Sequence, residues 1–98
     1  MRQLFWTPQA IQDRDEIYAF IEADKPAAGL ALDEFIEEKA DRLVNYPLLG
    51  RSGRVAGIRD RGVHANYILV YDAPDDLMRV LRVLHTASQW PPERESPE

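Results

Sequence analysis

The spacing of the apolar side chains changes near the middle of this chain, and that change restricts the folds that the chain can form. Before Pro47, apolar residues recur every three or four positions, which is the spacing of one face of a helix. Beyond residue 53 they occur in two short continuous runs, 67–71 and 77–86, which are rich in β-branched and aromatic side chains. The sequence therefore predicts helices first and strands afterwards, as in an α+β fold.

The first half is predicted to contain a short strand and a helix hairpin. Residues 3–7 form the strand, and Thr7 followed by Pro8 is typical of a helix start. The first helix runs to about residue 23 and the second from Pro26 to about residue 46. Two apolar stripes define the hairpin: Ala10, Ile17, Phe20 and Ile21, then Ala28, Leu32, Phe35, Ile36, Ala40 and Leu43. Arg14 falls on the first stripe, so we expect it to reach solvent or to pair.

The second half is predicted to form a three-stranded antiparallel meander, which joins the N-terminal strand in one sheet. Residues 47–53 are a loop, 55–61 are the first strand, and 73–76 form the turn between the two apolar runs. Because those runs do not alternate, both sheet faces should be covered, one by the helices and the other by a partner, a ligand or a second subunit. We expect one domain over residues 1–90 and a disordered tail over 91–98.

The composition narrows the cellular setting and the available chemistry. A chain of 98 residues fits one domain, and the absence of cysteine excludes disulfides and thiolate metal sites. No apolar run approaches the roughly 18 residues of a membrane span, and the first six residues lack the apolar core of a signal peptide. Two histidines among scattered carboxylates match no metal-ligand spacing. We expect a soluble cytoplasmic protein without a metal, a cofactor or a membrane partner.

The net charge of -5 is unevenly distributed along the chain. Residues 1–50 carry five basic and ten acidic side chains, whereas residues 51–88 carry six arginines and four aspartates. Four of those arginines lie within eleven residues: Arg51, Arg54, Arg59 and Arg61. Such a cluster favours a phosphate or an acidic protein as its partner.

Five short motifs, taken in order, resemble the RelE/ParE superfamily, the toxins of bacterial type II toxin-antitoxin modules, and its ParE branch in particular. The motifs are Ala10…Asp13…Ile17…Phe20-Ile21, Pro26-Ala-Ala28, Leu43…Tyr46-Pro47…Gly50-Arg51, Gly57-Ile-Arg59-Asp60 and Val80-Leu-Arg-Val-Leu-His85. The resemblance covers about residues 4–91 and rests on the order and spacing of the motifs. It implies a growth-inhibiting toxin of a plasmid-stabilisation system, which a cognate antitoxin neutralises. The expected assembly is a hetero-oligomer with the antitoxin or a homodimer.

The resemblance leaves three modes of action open. A ParE-like toxin would bind DNA gyrase without chemistry, a RelE-like toxin would cleave mRNA on the ribosome, and an attenuated relative would mainly bind antitoxin. The long helix hairpin and the acidic balance favour gyrase, because a protein that sits against ribosomal RNA is expected to be strongly basic. Ser88, where members of this branch often have an arginine, favours it too, and a missing arginine there would attenuate toxicity if it contributes to poisoning.

The candidate residues differ between the two active modes. RNA cleavage by a 2′-hydroxyl needs a base, an acid and a cation over the phosphate. For that chemistry the candidates are His85 and His64 for proton transfer, Arg82 or Arg59 for the cation, and Tyr67 or Trp90 for stacking a base. For target or partner binding the candidates are Arg51, Arg54, Arg59, Arg61, Tyr67, Gln89 and Trp90.

Each candidate also has a purely structural interpretation. His85 would hydrogen-bond a loop carbonyl, and His64 would be a solvent-facing turn residue before the strand. Trp90 would clamp the tail over the core. Arg79 and Arg82 are three positions apart and would point to opposite faces of a flat strand, so at least one of them should lie on the surface or in an ion pair.

Overall fold

A hairpin of two helices packs on one face of a five-stranded sheet in the computed structural model, which describes residues 3–53 and 55–86. The elements are β1 (Gln3–Trp6), α1 (Pro8–Glu22), α2 (Pro26–Asn45), a 3₁₀ turn (Pro47–Leu49), β2 (Arg51–Ser52), β3 (Arg59–His64), β4 (Tyr67–Asp72) and β5 (Leu77–His85). The strand order is β1-β5-β4-β3-β2, and only the β1-β5 pair is parallel. The predicted α+β architecture is confirmed. None of the described helices is long and apolar enough to cross a membrane. The predicted tail, 91–98, lies outside the described residues.

Thr7 starts α1 and also ties that helix to β5. Its hydroxyl accepts a hydrogen bond from the Ala10 N–H at 3.1 Å and donates one to the Leu81 carbonyl at 3.0 Å. Its own N–H donates to the Val80 carbonyl at 3.1 Å. One threonine thus satisfies a free donor at the helix start and fixes the position of α1 on the sheet.

Arg14 is paired, as its place on the apolar stripe of α1 predicts. Its guanidinium donates two hydrogen bonds to Asp33 of α2, at 3.0 and 2.8 Å, and lies 4.4 Å from the ring centroid of Trp6. The prediction for Phe20 is wrong, because its side chain is 76% exposed. The buried face of α1 is narrow: Ala10 is fully buried, and Ile17 and Ile21 pack against the core.

The core lies between the helix hairpin and the facing side of the sheet. Helix α2 contributes four buried apolar side chains at helical spacing: Leu32, Ile36, Ala40 and Leu43. The sheet contributes Val63, Tyr67, Leu69, Tyr71, Met78, Val80 and Val83. On the opposite face, Ile68 and Leu84 are half-buried and Val70 is fully buried, so that face is not a fully open apolar surface.

The strand predicted at residues 55–61 is wrong in its bounds, because a turn occupies the first part of that range. The Gly53 N–H donates to the Ile58 carbonyl at 2.8 Å, and the Ile58 N–H donates to the Val55 carbonyl at 3.1 Å. Gly57 has a φ of +82°, which a residue with a side chain rarely adopts. Because of this turn, β3 begins only at Arg59 and runs to His64. It pairs with the two-residue β2, which was predicted as loop.

Tyr71 of β4 fixes the segment that follows α2. Its hydroxyl donates to the Pro47 carbonyl and accepts from the Gly50 N–H at 2.9 Å. A Cβ on residue 50 would lie 2.4 Å from that hydroxyl oxygen, so only glycine fits there without a shift. Burial raises the pKa of the Tyr71 phenol, so the hydroxyl stays protonated and able to donate to a more alkaline pH than an ordinary tyrosine.

We expect Tyr71→Phe to lower the melting temperature by about 5–15 °C. The change leaves the Pro47 carbonyl and the Gly50 N–H without this partner, a loss of about 1–3 kcal/mol in a domain of this size. Thermal unfolding followed by circular dichroism measures the effect. Tyr46→Phe is the matched control, since the Tyr46 side chain is largely exposed and should leave the midpoint within about 2 °C. Equal melting temperatures for Tyr71→Phe and the parent would contradict the anchoring role.

Candidate functional site

Two histidines and a tyrosine lie together at the end of the sheet. The hairpin between β3 and β4 pairs His64 with Tyr67, and the β4-β5 register pairs Tyr67 with His85. The Tyr67 ring centroid is 6.0 Å from that of His64 and 5.4 Å from that of His85. Both histidines are exposed, whereas Tyr67 is buried. We call these three residues the histidine cluster; the structure brings them together, while their roles stay predictions.

His64 is exposed and lies just before β4, as predicted, but it is the last residue of β3 and not part of the turn. Its Nδ1 accepts a hydrogen bond from the Asn66 N–H at 3.2 Å, which closes the two-residue hairpin loop. The ring also meets Phe35 of α2 edge to face, with centroids 6.4 Å apart. These contacts account for the position of His64 without any ligand.

A cleft of about 270 Å³ opens beside His85, between α1 and the end of β5. Its lining is apolar and acidic: Asp13, Glu16, Ile17, Phe20, Tyr67, Val83, Leu84 and His85. Asp13 is paired with Arg82, but Glu16 adds a further negative charge to this wall, which disfavours the approach of a phosphate. The cleft is therefore a poor match for an RNA backbone.

Arg82, a candidate cation for that chemistry, is bound to Asp13 of α1. Two hydrogen bonds join the side chains, at 2.8 and 3.1 Å, and the same carboxylate accepts the Val83 N–H at 2.9 Å. The side chains of Arg82 and Asp13 are only 24% and 11% exposed. The hydrogen bond to Asp13 raises the pKa of Arg82 further above its ordinary value. Arg82 thus holds α1 against β5, and its charge is largely compensated.

Three of the four clustered arginines come together around the segment 46–51. Arg59 donates to the Gly50 carbonyl at 2.7 Å, and Arg61 donates to the Leu49 carbonyl at 3.4 Å. Arg51 pairs with Asp60 at 2.9 Å, yet 83% of its side chain is exposed. We call Arg51, Arg59 and Arg61 the arginine surface. The other predicted binding residues, Arg54, Gln89 and Trp90, lie outside the described residues, as does Ser88.

The arginine surface and the histidine cluster are separate. They occupy different parts of β3, and Arg61, the member of the arginine surface nearest to His64 on that strand, precedes it by three residues, or about 10 Å along a strand. Across the described ranges, 3–53 and 55–86, no group of His, Asp and Glu side chains is arranged to hold a metal ion. The structure therefore offers two surfaces for different partners and does not join the arginines to the histidines.

Sequence reasoning missed Asp13 and the exposed apolar residues of the segment 46–51. Asp13 is 69 positions from Arg82, so no local pattern could pair them. For the segment 46–51 a signal existed, because Leu48 and Leu49 are apolar residues in a predicted loop. Both prove exposed, at 74% and 40%.

Known proteins with similar sequences are described as toxins. The family model of the ParE toxin of the type II toxin-antitoxin system parDE matches residues 4–90. Y4kP of Sinorhizobium fredii is 35% identical to this chain over 91 residues, which are 92% of this chain and 94% of Y4kP. Its description as a toxin is provisional. Toxin RelE2 of Caulobacter vibrioides is 31% identical over 87 residues, which are 89% of this chain and 98% of RelE2.

Two solved structures share the fold. A chain of the chromosomal ParDE toxin-antitoxin system from P. aeruginosa superposes with a TM-score of 0.78 at 25% identity, covering 87% of this chain and 96% of that one. A chain of the E. coli DinJ-YafQ complex superposes with a TM-score of 0.62 at 20% identity, covering 89% and 96%. The second likeness is one of fold alone.

We expect Asp13→Ala to lower the free energy of unfolding by about 2–3 kcal/mol. The change removes the carboxylate that accepts hydrogen bonds from the Arg82 guanidinium and the Val83 N–H. Urea denaturation measures the loss. Asp15→Ala is the matched control: Asp15 lies on the same helix but is exposed, so its replacement should change stability by under about 0.5 kcal/mol. A double-mutant cycle with Arg82→Gln should show coupling of at least about 0.5 kcal/mol. Purely additive effects would show that the pair does not hold α1 to β5.

Proposed function

Because the chain belongs to the ParE toxin family of type II toxin-antitoxin systems, we propose that it inhibits growth by binding DNA gyrase and that a cognate antitoxin holds it inactive. The resemblance found in the sequence is thus confirmed at the level of the RelE/ParE superfamily. Gyrase and antitoxin are both cytoplasmic partners, and we propose the cytoplasm as the place of action. The oligomeric state, a hetero-oligomer with antitoxin or a homodimer, remains a prediction.

The charges beside the histidine cluster are the observation on which we base the proposal that the protein acts by binding. RNA cleavage needs a cation beside the proton-transfer group, to neutralise charge on the phosphate in the transition state. Arg82 is bound to Asp13, and the cleft beside His85 also has Glu16 on its wall. The local charge therefore opposes a phosphate where the chemistry would occur, which supports action by binding.

The charge of the whole chain supports the same proposal. Affinity for ribosomal RNA comes largely from phosphate neutralisation by Lys and Arg, whereas this chain has a net charge of -5. Clustered positive charge is found locally, at the arginine surface, and a local charged patch suits a protein partner.

An antitoxin partner is supported by the family match and by the ParDE system that shares this fold. The family model describes the toxin of a two-component module, and the P. aeruginosa structure is named as a toxin-antitoxin system. A protein stored in inactive form needs a partner that covers its working surface. We propose that the antitoxin has that role here.

The second candidate function is cleavage of mRNA on the ribosome, as in RelE-like toxins. One observation favours it: Tyr67 lies between two exposed histidines, an arrangement that offers proton transfer beside an aromatic ring. Under this alternative, His85 and His64 would transfer protons, and Arg82 would have to leave Asp13 to serve as the cation. An attenuated toxin that mainly binds antitoxin is the third possibility.

We expect expression of the chain without antitoxin to induce DNA-damage signalling and filamentous growth while bulk mRNA stays intact. His85→Ala and His64→Ala should retain this toxicity, because binding to gyrase does not use either histidine as an acid or base. A DNA-damage reporter and transcript integrity are measured in the same cultures, and co-expressed antitoxin is the control that should abolish inhibition.

Rapid cleavage of mRNA at ribosomes would overturn the gyrase proposal. His85→Ala should then lower the cleavage rate by roughly 10²-fold or more. Normal growth with neither effect, at an expression level confirmed by immunoblot, would establish the attenuated toxin instead.

A further inference from the structure

One face of α1 forms a wall of the cleft beside His85. Four of the lining residues lie at positions i, i+3, i+4 and i+7 of that helix and so share one face: Asp13, Glu16, Ile17 and Phe20. Phe20 borders the cleft and is nevertheless 76% exposed. A phenylalanine in this position leaves a large apolar surface in contact with water, and covering that surface is favourable.

The rest of the cleft is aromatic and aliphatic. Strands β4 and β5 supply Tyr67, Val83, Leu84 and His85. The rings of Tyr67 and His85 meet edge to face, with centroids 5.4 Å apart, which is a contact that aromatic rings favour. The volume of about 270 Å³ has room for one large side chain and little more. The cleft therefore suits a single aromatic side chain, and the Glu16 carboxylate on its wall is an acceptor for a donor on that ring.

The chain leaves the described ranges beside this cleft. Strand β5 ends at His85, and the Thr86 N–H donates to the Asn66 carbonyl at 2.8 Å. This bond fixes the point from which residues 87–98, which lie outside the described residues, continue. Trp90 follows Thr86 by four positions, so the chain can carry it at most about 14 Å from there. Because His85 precedes Thr86 directly and lines the cleft, the cleft lies within that reach.

Trp90 is the one large apolar residue among the twelve that follow Thr86. Pro91 and Pro92 come directly after it, and neither has a backbone N–H with which to continue a strand. The residues beyond them include three glutamates and one arginine, a net negative charge that the acidic wall of the cleft repels. Among these twelve residues, the indole is thus the group that matches the cleft in size and polarity.

We propose that the indole of Trp90 fills the cleft beside His85 in the same chain. The ring packs against Phe20 and Ile17, and its N–H donates to the Glu16 carboxylate. The short tether keeps the indole near the cleft at an effective concentration in the millimolar range, which favours it over an untethered occupant. The inference depends neither on gyrase nor on the antitoxin. It gives the structural interpretation of Trp90 a location, and a ring held there is not available for stacking an RNA base.

The test measures how accessible the Trp90 ring is in the purified chain of 98 residues. The sequence contains two tryptophans, so Trp6→Phe leaves Trp90 as the only source of indole fluorescence. A peptide with the sequence of residues 86–98 supplies the fully exposed reference. Acrylamide, a neutral quencher that the acidic wall does not repel, should quench Trp90 in the protein at least about threefold less efficiently than in the peptide, because packed side chains shield the ring.

A variant of the cleft and a matched control locate the ring. Phe20→Ser removes an apolar wall of the cleft and should bring the quenching of Trp90 to within about 1.5-fold of the peptide value. Leu30→Ser is the control, because it removes an apolar side chain that is 52% exposed on α2 and does not line the cleft. It should leave the quenching within about 1.2-fold of the Trp6→Phe chain. Circular dichroism checks that each variant is folded.

Quenching of Trp90 as efficient as in the peptide, in a folded Trp6→Phe chain, would overturn the inference. A shielded ring that Phe20→Ser leaves shielded would overturn it too, because the ring would then lie elsewhere. If Trp6→Phe does not fold, fluorine NMR of the parent chain labelled with fluorotryptophan answers the same question. Trp90→Phe identifies the Trp90 resonance, which Phe20→Ser should move toward its position in the peptide, and an unmoved resonance would contradict the proposal.

Discussion

Asp13 holds the two layers of this protein together at the point where the sheet would otherwise be open. β1 pairs with β5 only as far as Val80, so among the described residues the outer edge of β5 beyond Val80 has no neighbouring strand. The Thr7 hydroxyl binds the Leu81 carbonyl, and the Asp13 carboxylate binds the Val83 N–H and the Arg82 guanidinium. Helix α1 thereby takes the place of a strand and covers an edge that could pair with another chain. The packing of the hairpin on the sheet follows from this arrangement.

The same interaction separates the two candidate surfaces by charge. Arg82 serves the fold, so the histidine cluster adjoins a cleft with acidic residues on its wall. The three residues of the arginine surface gather around a segment that Tyr71 fixes from the core side. One end of the protein is thus unsuited to a phosphate, and the other suits an acidic protein segment. This division supports the proposal that the toxin acts by binding.

Local chemistry made much of the fold predictable. Thr7 and Pro8 specified the start of α1, and the mostly apolar run 77–86 predicted β5 from its first residue to one position beyond its last. The start of β3 was wrong because Gly57, with its positive φ, extends a turn through residues that resemble a strand.

The site was less predictable, because its contacts join residues distant in sequence. The residue type marked His64, Tyr67 and His85 as candidates, but only strand pairing brings them together. No local sequence pattern linked Asp13 to Arg82 or showed that Tyr71 supports the turn that contains Leu48.

The most direct test of action by binding is a gyrase supercoiling assay with purified toxin, run beside a ribosome-dependent mRNA cleavage assay. Inhibition of supercoiling that persists in the His64→Ala, His85→Ala double variant, with intact mRNA, is the predicted result. Cleaved mRNA, together with full gyrase activity, would contradict it.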